Sequence, residues 1–346
     1  MKKILAILLA AVMLLALAAC GTTNDTTTEP PAATDPVETE PAATEPADDD
    51  TAGETYVVGI CQQMTHVALD AATEGFKAAL TDILGEGAVT YEEGNAGGDQ
   101  NNCVTIVDGL VSEGVDLILA NATWPLQAAA SATGDIPILG TSITDYATAL
   151  NLDGWTGTVG NNISGTSDLA PLDQQAEMIQ ELFPDAGNIG LLYCSGEANS
   201  VYQIETIRGY LEDMGYTCEA YAFTDVNDLS SVTQTACDNS DVIYIPTDNT
   251  AAGNTETIAN IVLAAGVPVV AGESGICSGC GVATLSIDYY ELGYTTGEMA
   301  AKILTGEADV TTMAVEYAPN VTKMYNAANC EALGLTMPED YVAIEG

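Results

Sequence analysis

From about residue 56 the chain alternates between short apolar runs and longer stretches whose apolar residues recur at helical spacing. YVVGICQ (56–62) reads as a strand and ALDAATEGFKAALTDIL (68–84) as a helix. AVTYEEGN then reads as a strand and NNCVTIVDGLVSEG as a helix. VDLILAN (115–121), PLQAAASA (125–132) and IPILGTS (136–142) continue the series as strand, helix and strand. A second set follows. NIGLLYC (188–194), YTCEAYAFT (216–224), DVIYIPT (241–247) and PVVAGES (268–274) read as strands. Helices are expected in SVYQIETIRGYLEDMG (200–215), VNDLSSVTQTAC and TETIANIVLAAG. Strands of nearly continuous Val, Ile and Leu are those of a parallel sheet covered on both faces. Repeated β-α-β alternation therefore predicts α/β architecture with doubly wound parallel sheets, in two successive lobes.

The break between the sets falls near TVGNNISGTSD (158–168), a polar, Gly-rich stretch expected to be a crossover. The helix YTTGEMAAKILTG (294–306) has no strand partner in the second set and is expected to return to the first. The lobes are thus expected to comprise residues 55–163 plus 289–315 and residues 164–288 plus 316–346.

The first 54 residues follow different rules. Lys2 and Lys3 precede an apolar stretch, Ile4 to Ala19, that is short for a membrane span. It ends in Leu17-Ala18-Ala19-Cys20-Gly21, which resembles a bacterial lipobox. That resemblance implies a signal peptide over 1–19, a lipidated Cys20 and an extracytoplasmic, membrane-anchored protein. Residues 20–54 repeat Thr, Glu, Pro and Ala with no aromatic residue. Such a segment cannot bury enough apolar surface to offset its ordering entropy and is expected to be a disordered acidic tether.

Charge narrows the function. The chain carries 50 acidic residues against 6 Lys and Arg, a formal net charge of −44. Nucleic acid is excluded as a partner, because phosphate binding needs clustered cations. A solvated acidic surface favours a soluble monomer. Once the leader lysines are removed, Lys77, Arg208, Lys302 and Lys323 are the permanent cations. Cys61 and Cys194 lie in apolar runs and read as buried thiols. Cys277 and Cys280 allow a local disulfide, half a zinc site, or two thiols in a turn. With His66 as the single histidine and no second cysteine pair of matching spacing, no metal or cofactor is expected. No G-x-S-x-G elbow, P-loop or H-E-x-x-H motif is present, so no enzyme is expected.

In open parallel sheets ligands sit beyond the carboxyl ends of the strands. The residues there are small, polar and dense. The first set offers Gln62, Gln63, Thr65, His66, Asn121, Thr123, Trp124, Thr141, Ser142, Thr144 and Asp145. The second offers Ser195, Glu197, Asn199, Ser200, Thr247, Asp248, Asn249, Thr250, Glu273 and Ser274. Each Ser, Thr, Asp or Asn among them is equally suited to capping a helix. Their accumulation at one edge of two sheets is what marks a cleft.

Several of these stretches also resemble a known family. HVALDAATEGF, GDQNN, DLILANATWPLQAA, ITD (143–145) and GTSDLAPLDQQ lie in the first half of the body. YCSGEANSVYQIE, IYIPTDNT, DYYELGYTTGEMAAKILTG and EALGLTMPEDY follow in order. Together they resemble the substrate-binding lipoproteins of ABC importers related to tryptophan and tyrosine binders, within the type I periplasmic binding proteins. The resemblance implies two lobes joined by a multi-strand hinge, closing on a small solute that passes to a permease and its ATPase. It carries Thr123, Thr144, Asp145, Glu197, Asn199, Ser200, Asp248 and Asn249 onto the family's cleft motifs. Thr65 stands where relatives often have Glu before the shared His66, Trp124 and Tyr146 where Pro is usual, and Glu273 where Asp is frequent. With Gln62, His66, Trp124 and Glu273 from the strand ends, these twelve residues form the expected ligand site.

A free amino acid brings one cation and one anion. Asp248 is the leading candidate for its ammonium, with Asp145 as an alternative. No cationic side chain is expected to grip its carboxylate, which is left to hydroxyls such as Thr123, Thr144 and Ser200 and to helix-start N–H groups. Trp124 and Tyr202 offer aromatic faces. A lipid-anchored receptor for a sensor system, and a sugar or nucleoside ligand, are the alternatives the sequence leaves open.

Overall fold

The computed structural model describes residues 55–318 and 320–344. The expected signal peptide, Cys20 and tether lie outside them. The chain opens with β1 (Tyr56–Gln62), α1 (Val67–Leu84), β2 (Val89–Asn95), α2 (Gln100–Glu113) and β3 (Leu117–Asn121). It continues with α3 (Thr123–Ala132), β4 (Ile138–Ile143), α4 (Tyr146–Leu150) and β5 (Ile163–Ser167). The second lobe begins with α5 (Leu172–Leu182), β6 (Asn188–Cys194), α6 (Ala198–Asp213), β7 (Thr217–Phe223) and α7 (Val226–Asn239). It proceeds through β8 (Val242–Ile245), α8 (Asn249–Ala252), α9 (Thr255–Ala265), β9 (Val269–Ala271), α10 (Ser274–Gly279) and β10 (Ala283–Ser286). The chain then returns through α11 (Tyr289–Leu304) and β11 (Glu316–Tyr317), and ends with β12 (Thr322–Tyr325), α12 (Ala327–Leu333) and β13 (Val342–Ala343).

Among the described residues these strands form two sheets, ordered β11-β5-β4-β3-β1-β2 and β13-β12-β10-β9-β8-β6-β7. Every pairing is parallel except β10 with β12. The central strands β3, β4 and β8 are buried at every position. The edge strands β2 and β7 expose Glu92, Glu93 and Glu219 instead, charges that discourage edge-to-edge pairing. Asp99 caps α2 through the Asn101 N–H, as its place before the helix predicts.

One face of the first sheet packs Val58, Ile60, Leu117, Leu119 and Leu139 against Phe76 and Leu80 of α1 and Met299 of α11. Each such large apolar side chain contributes about 1.5–3 kcal/mol on burial. α11 lies against α1 so closely that a Cβ on Gly293 would strike the Ala72 carbonyl, and one on Gly75 the Tyr290 carbonyl.

Sheet membership moves the expected lobe boundaries by a few residues. Ile163–Ser167 pairs with β4 in the first sheet, as does Glu316–Tyr317 with β5. The stretch read as a polar crossover is therefore partly a buried strand. Its hydroxyls find partners inside the lobe: Thr166 meets Thr296 of α11 at 2.8 Å, and Ser164 donates to the Met313 carbonyl at 3.0 Å. Gly165 is required there, because its φ of 141° leaves no room for a Cβ beside Gly140 and the Tyr146 hydroxyl. The chain crosses between lobes after β5, after β10 and after β11.

Candidate functional site

Parallel strands in both sheets deliver their carboxyl ends, and the loops that follow, to one region between the lobes. In the first lobe β1, β3 and β4 are neighbours, so the residues after them form one edge. In the second lobe β6, β8, β9 and β10 do the same. The two edges meet. His66 Nε2 lies 3.1 Å from Asn249 Oδ1, and Met64 rests against Gly253. α4, capped by Asp145, packs on α6, which carries Tyr202.

The second-lobe edge is built on buried carboxylates. Glu197, fully buried, precedes α6 and accepts from the start of α8: the Asn249 N–H at 3.1 Å, Asn249 Nδ2 at 2.7 Å, and the Thr250 N–H and hydroxyl at 2.8 and 2.7 Å. Asp248 caps α8 by accepting the Ala251 N–H at 2.8 Å, while its other oxygen accepts the Cys194 N–H at 2.6 Å. Burial, with the charge of Glu197, pushes its carboxyl up to about 7. Glu273 caps α10 through the Gly275 and Ile276 N–H groups, and burial raises its carboxyl too. At the hinge Asp168 accepts from the Thr144 hydroxyl at 2.9 Å and the Tyr289 hydroxyl at 3.0 Å. Burial pushes it up to about 6.

Several expected residues thus have structural partners. Asp248, the leading candidate for a ligand's ammonium, has each oxygen taken by a backbone donor of its own lobe and braces β6 to α8. Glu197 and Glu273 are occupied in the same way. Gln62 turns beneath α1, where it donates to Asp70 at 2.6 Å and accepts from Thr73 at 2.7 Å. Trp124 packs with the first-lobe core and lines a groove between α2 and α3 with Val104, Asp108 and Gln127. Its backbone N–H, by contrast, reaches Gln63. Asp145 caps α4 through the Thr148 N–H. Thr123 and Ser200 are buried at the starts of α3 and α6, and Thr144 is committed to Asp168.

What remains open is more telling. Five buried side-chain atoms at these strand ends have no hydrogen-bond partner: Asn121 Oδ1, on an amide turned against α1 by its Nδ2 bonds to the Leu69 carbonyl and the Thr73 hydroxyl, and four others, Gln63 Nε2, His66 Nδ1, Ser142 Oγ and Asn199 Oδ1. Buried polar atoms are normally paired, and each one left alone costs about 1–3 kcal/mol. Backbone strain lies at the same edge. Ala122 after β3 has φ 90° and Ser142, the next-to-last residue of β4, has φ 56°, a region other residues leave to glycine. No described cation bonds to this edge. Lys77 pairs with Glu93, and Lys323 with Glu181 and Asp340. Arg208 lies eight residues beyond Ser200 on α6, about 12 Å along the helix.

Residues 57–344 match the family described as ABC transporter substrate binding protein. The chain belongs to that family. The Tyrosine-binding protein of Clostridioides difficile (strain R20291) is 32% identical over 259 residues, covering 72% of this chain and 73% of that protein. An ABC domain from Streptococcus pneumoniae in complex with L-Trp superposes with a TM-score of 0.79 at 32% identity, over 83% of this chain and 97% of that one. A ligand-free, open substrate-binding protein from Clostridium difficile, at 33% identity, covers 84% and 99% with a TM-score of 0.65. This substrate-binding protein thus has two α/β lobes of the type I periplasmic binding fold. Among the described residues, no helix is long and apolar enough to cross a membrane. All eight described cysteines are free thiols, Cys277 and Cys280 included.

Proposed function

We propose that this protein captures an aromatic amino acid in its interlobe cleft and delivers it to the permease and ATPase of an ABC importer. It does so as a monomer outside the cytoplasm, held to the membrane by lipid on Cys20. The observation that carries the ligand reading is the set of four buried, unpartnered polar atoms on both cleft edges. A small polar ligand supplies their missing partners and thereby joins the lobes. An amino acid suits the site because it brings both donors and acceptors, and because no cationic side chain is at hand for a polyanion. Two relatives support the aromatic choice, one named for tyrosine and one solved with L-Trp. The better superposition on the L-Trp complex than on the open, ligand-free relative, at similar identity, accords with lobes already in contact at His66 and Asn249.

Thermal unfolding against all amino acids, sugars and nucleosides tests this. A ligand at a hundred times its Kd stabilises the folded state by about 2.7 kcal/mol. Tyrosine or tryptophan is expected to raise Tm by several degrees. A rise with a sugar or nucleoside and none with any amino acid would overturn the proposal.

A further inference from the structure

We propose that the cleft is electrically polarised and holds a zwitterion in one orientation, carboxylate on the first lobe and ammonium on the second. This rests on the amino-acid reading above and adds Gln63, Ser142 and Asn199 as the residues that set the direction.

The orientation follows from two amides whose free ends have opposite character. Gln63 is fully buried, and its Oε1 accepts the Trp124 N–H at 3.3 Å. That bond fixes the amide, so the buried, unpartnered end is Nε2, which can only donate. Asn199 is turned the other way. Its Nδ2 donates to the Thr247 carbonyl at 3.0 Å and lies 3.3 Å from the Ser200 hydroxyl. Its buried, unpartnered end is therefore Oδ1, which can only accept. Ser142, held at φ 56° and buried, adds a free hydroxyl to the first-lobe edge.

The buried charges point the same way. Glu197, Asp248 and Glu273 all stand at second-lobe strand ends, and Asp168 stands at the hinge. Among the described residues the one buried acid that follows a first-lobe strand is Asp168, and its oxygens accept from the Thr144 and Tyr289 hydroxyls. The capping acids are already satisfied by backbone donors, so they act as a field behind Asn199 rather than as direct ligands. Once Asp248 is ionised, above about pH 7, that field in a poorly hydrated cleft attracts an ammonium to the second lobe and turns a carboxylate toward the first. His66 carries no sign of its own. Its Nε2 is on Asn249, and its other nitrogen accepts when neutral and donates when protonated.

Calorimetric titration of the full-length chain tests the orientation with three probes. They are tyrosine or tryptophan, the matching amine without the carboxylate (tyramine or tryptamine), and the matching propionate without the ammonium. Gln63→Glu keeps the acceptor for Trp124 and replaces the free donor by an anion. It is expected to weaken the amino acid at least tenfold and to leave the amine within about threefold, or tighten it. Asn199→Ala is expected to weaken the amino acid and the amine but not the propionate. Equal loss of amine and amino acid in Gln63→Glu, or of propionate and amine in Asn199→Ala, would overturn the orientation. Where an analogue binds too weakly or a variant misfolds, a crystal structure of the wild-type complex decides. A carboxylate on Gln63 supports the proposal, and one on Asn199 refutes it. If the wild type binds no amino acid at all, the proposed function falls and this inference with it, whereas binding with the reverse orientation removes this inference alone.

Discussion

Gln62 and Gln63 are adjacent and chemically identical, yet their amides have different partners. Gln62 shares its face of β1 with Val58 and Ile60, the face covered by α1, and its amide is spent on Asp70 and Thr73. Gln63 lies past the strand and keeps a free donor. The alternation of strand side chains holds this information, since residues two apart share a face. Asp248 is a different case. Its position at a strand end is legible in the sequence, but a carboxylate that caps a helix and one that binds an ammonium look alike until the N–H groups are placed. Removing it by Asp248→Ala would leave the Cys194 and Ala251 N–H groups unpaired. Unfolding of the ligand-free protein in urea is expected to show a loss of about 1–3 kcal/mol. A direct grip on the ligand would instead reduce affinity and leave ligand-free stability unchanged.

At the scale of elements, the long apolar runs were the readable part. β1, β3, β4, β6 and β8 lie within a residue or two of where Val, Ile and Leu cluster. β5 was not readable, because ISGTS is polar and its burial depends on Thr296 and Met313, more than 100 residues away in sequence. Short helices such as α8 and α10 are set by their caps, Asp248 and Glu273, rather than by any period. The return of α11 to α1 could be suspected from its missing strand partner, but the closeness of the crossing rests on Gly75, Gly293 and Gly297. Gly293→Ala would drive a methyl group into backbone that cannot yield without separating the helices. A cost of about 1–3 kcal/mol is expected in chemical denaturation, from overpacking. Gly109→Ala, on α2 with open space around it, serves as the control and should be neutral or mildly stabilising.

The whole molecule should report its buried acids through pH. Asp168 and Asp248 titrate at about 6 and about 7 when folded, above the usual carboxylate range, because burial disfavours their charge. The folded chain therefore holds protons that the unfolded chain releases. The stability they contribute is complete below about pH 4 and is lost as pH rises through 6 and 7. Asp241 acts in the opposite sense, since the Asn188 and Gly187 N–H groups hold its carboxyl below the ordinary range, and its contribution is lost as pH falls. The Tm of the ligand-free protein is expected to decline between about pH 4 and pH 7 and then level off. Asp248→Asn should flatten the upper part of that decline, and an unchanged profile would refute the assignment.

The three passages of the chain between lobes have a consequence for synthesis on the ribosome. The second sheet has β6 to β10 in one uninterrupted stretch, whereas the first receives α11 and β11 only after that stretch has been made. Until Tyr289–Leu304 emerges, the face of Phe76 and Leu80 that meets Met299 and Ala300 has nothing to cover it. The first lobe therefore cannot be completed until most of the second has been made, and the second is completed in turn only when β12 and β13 follow β11.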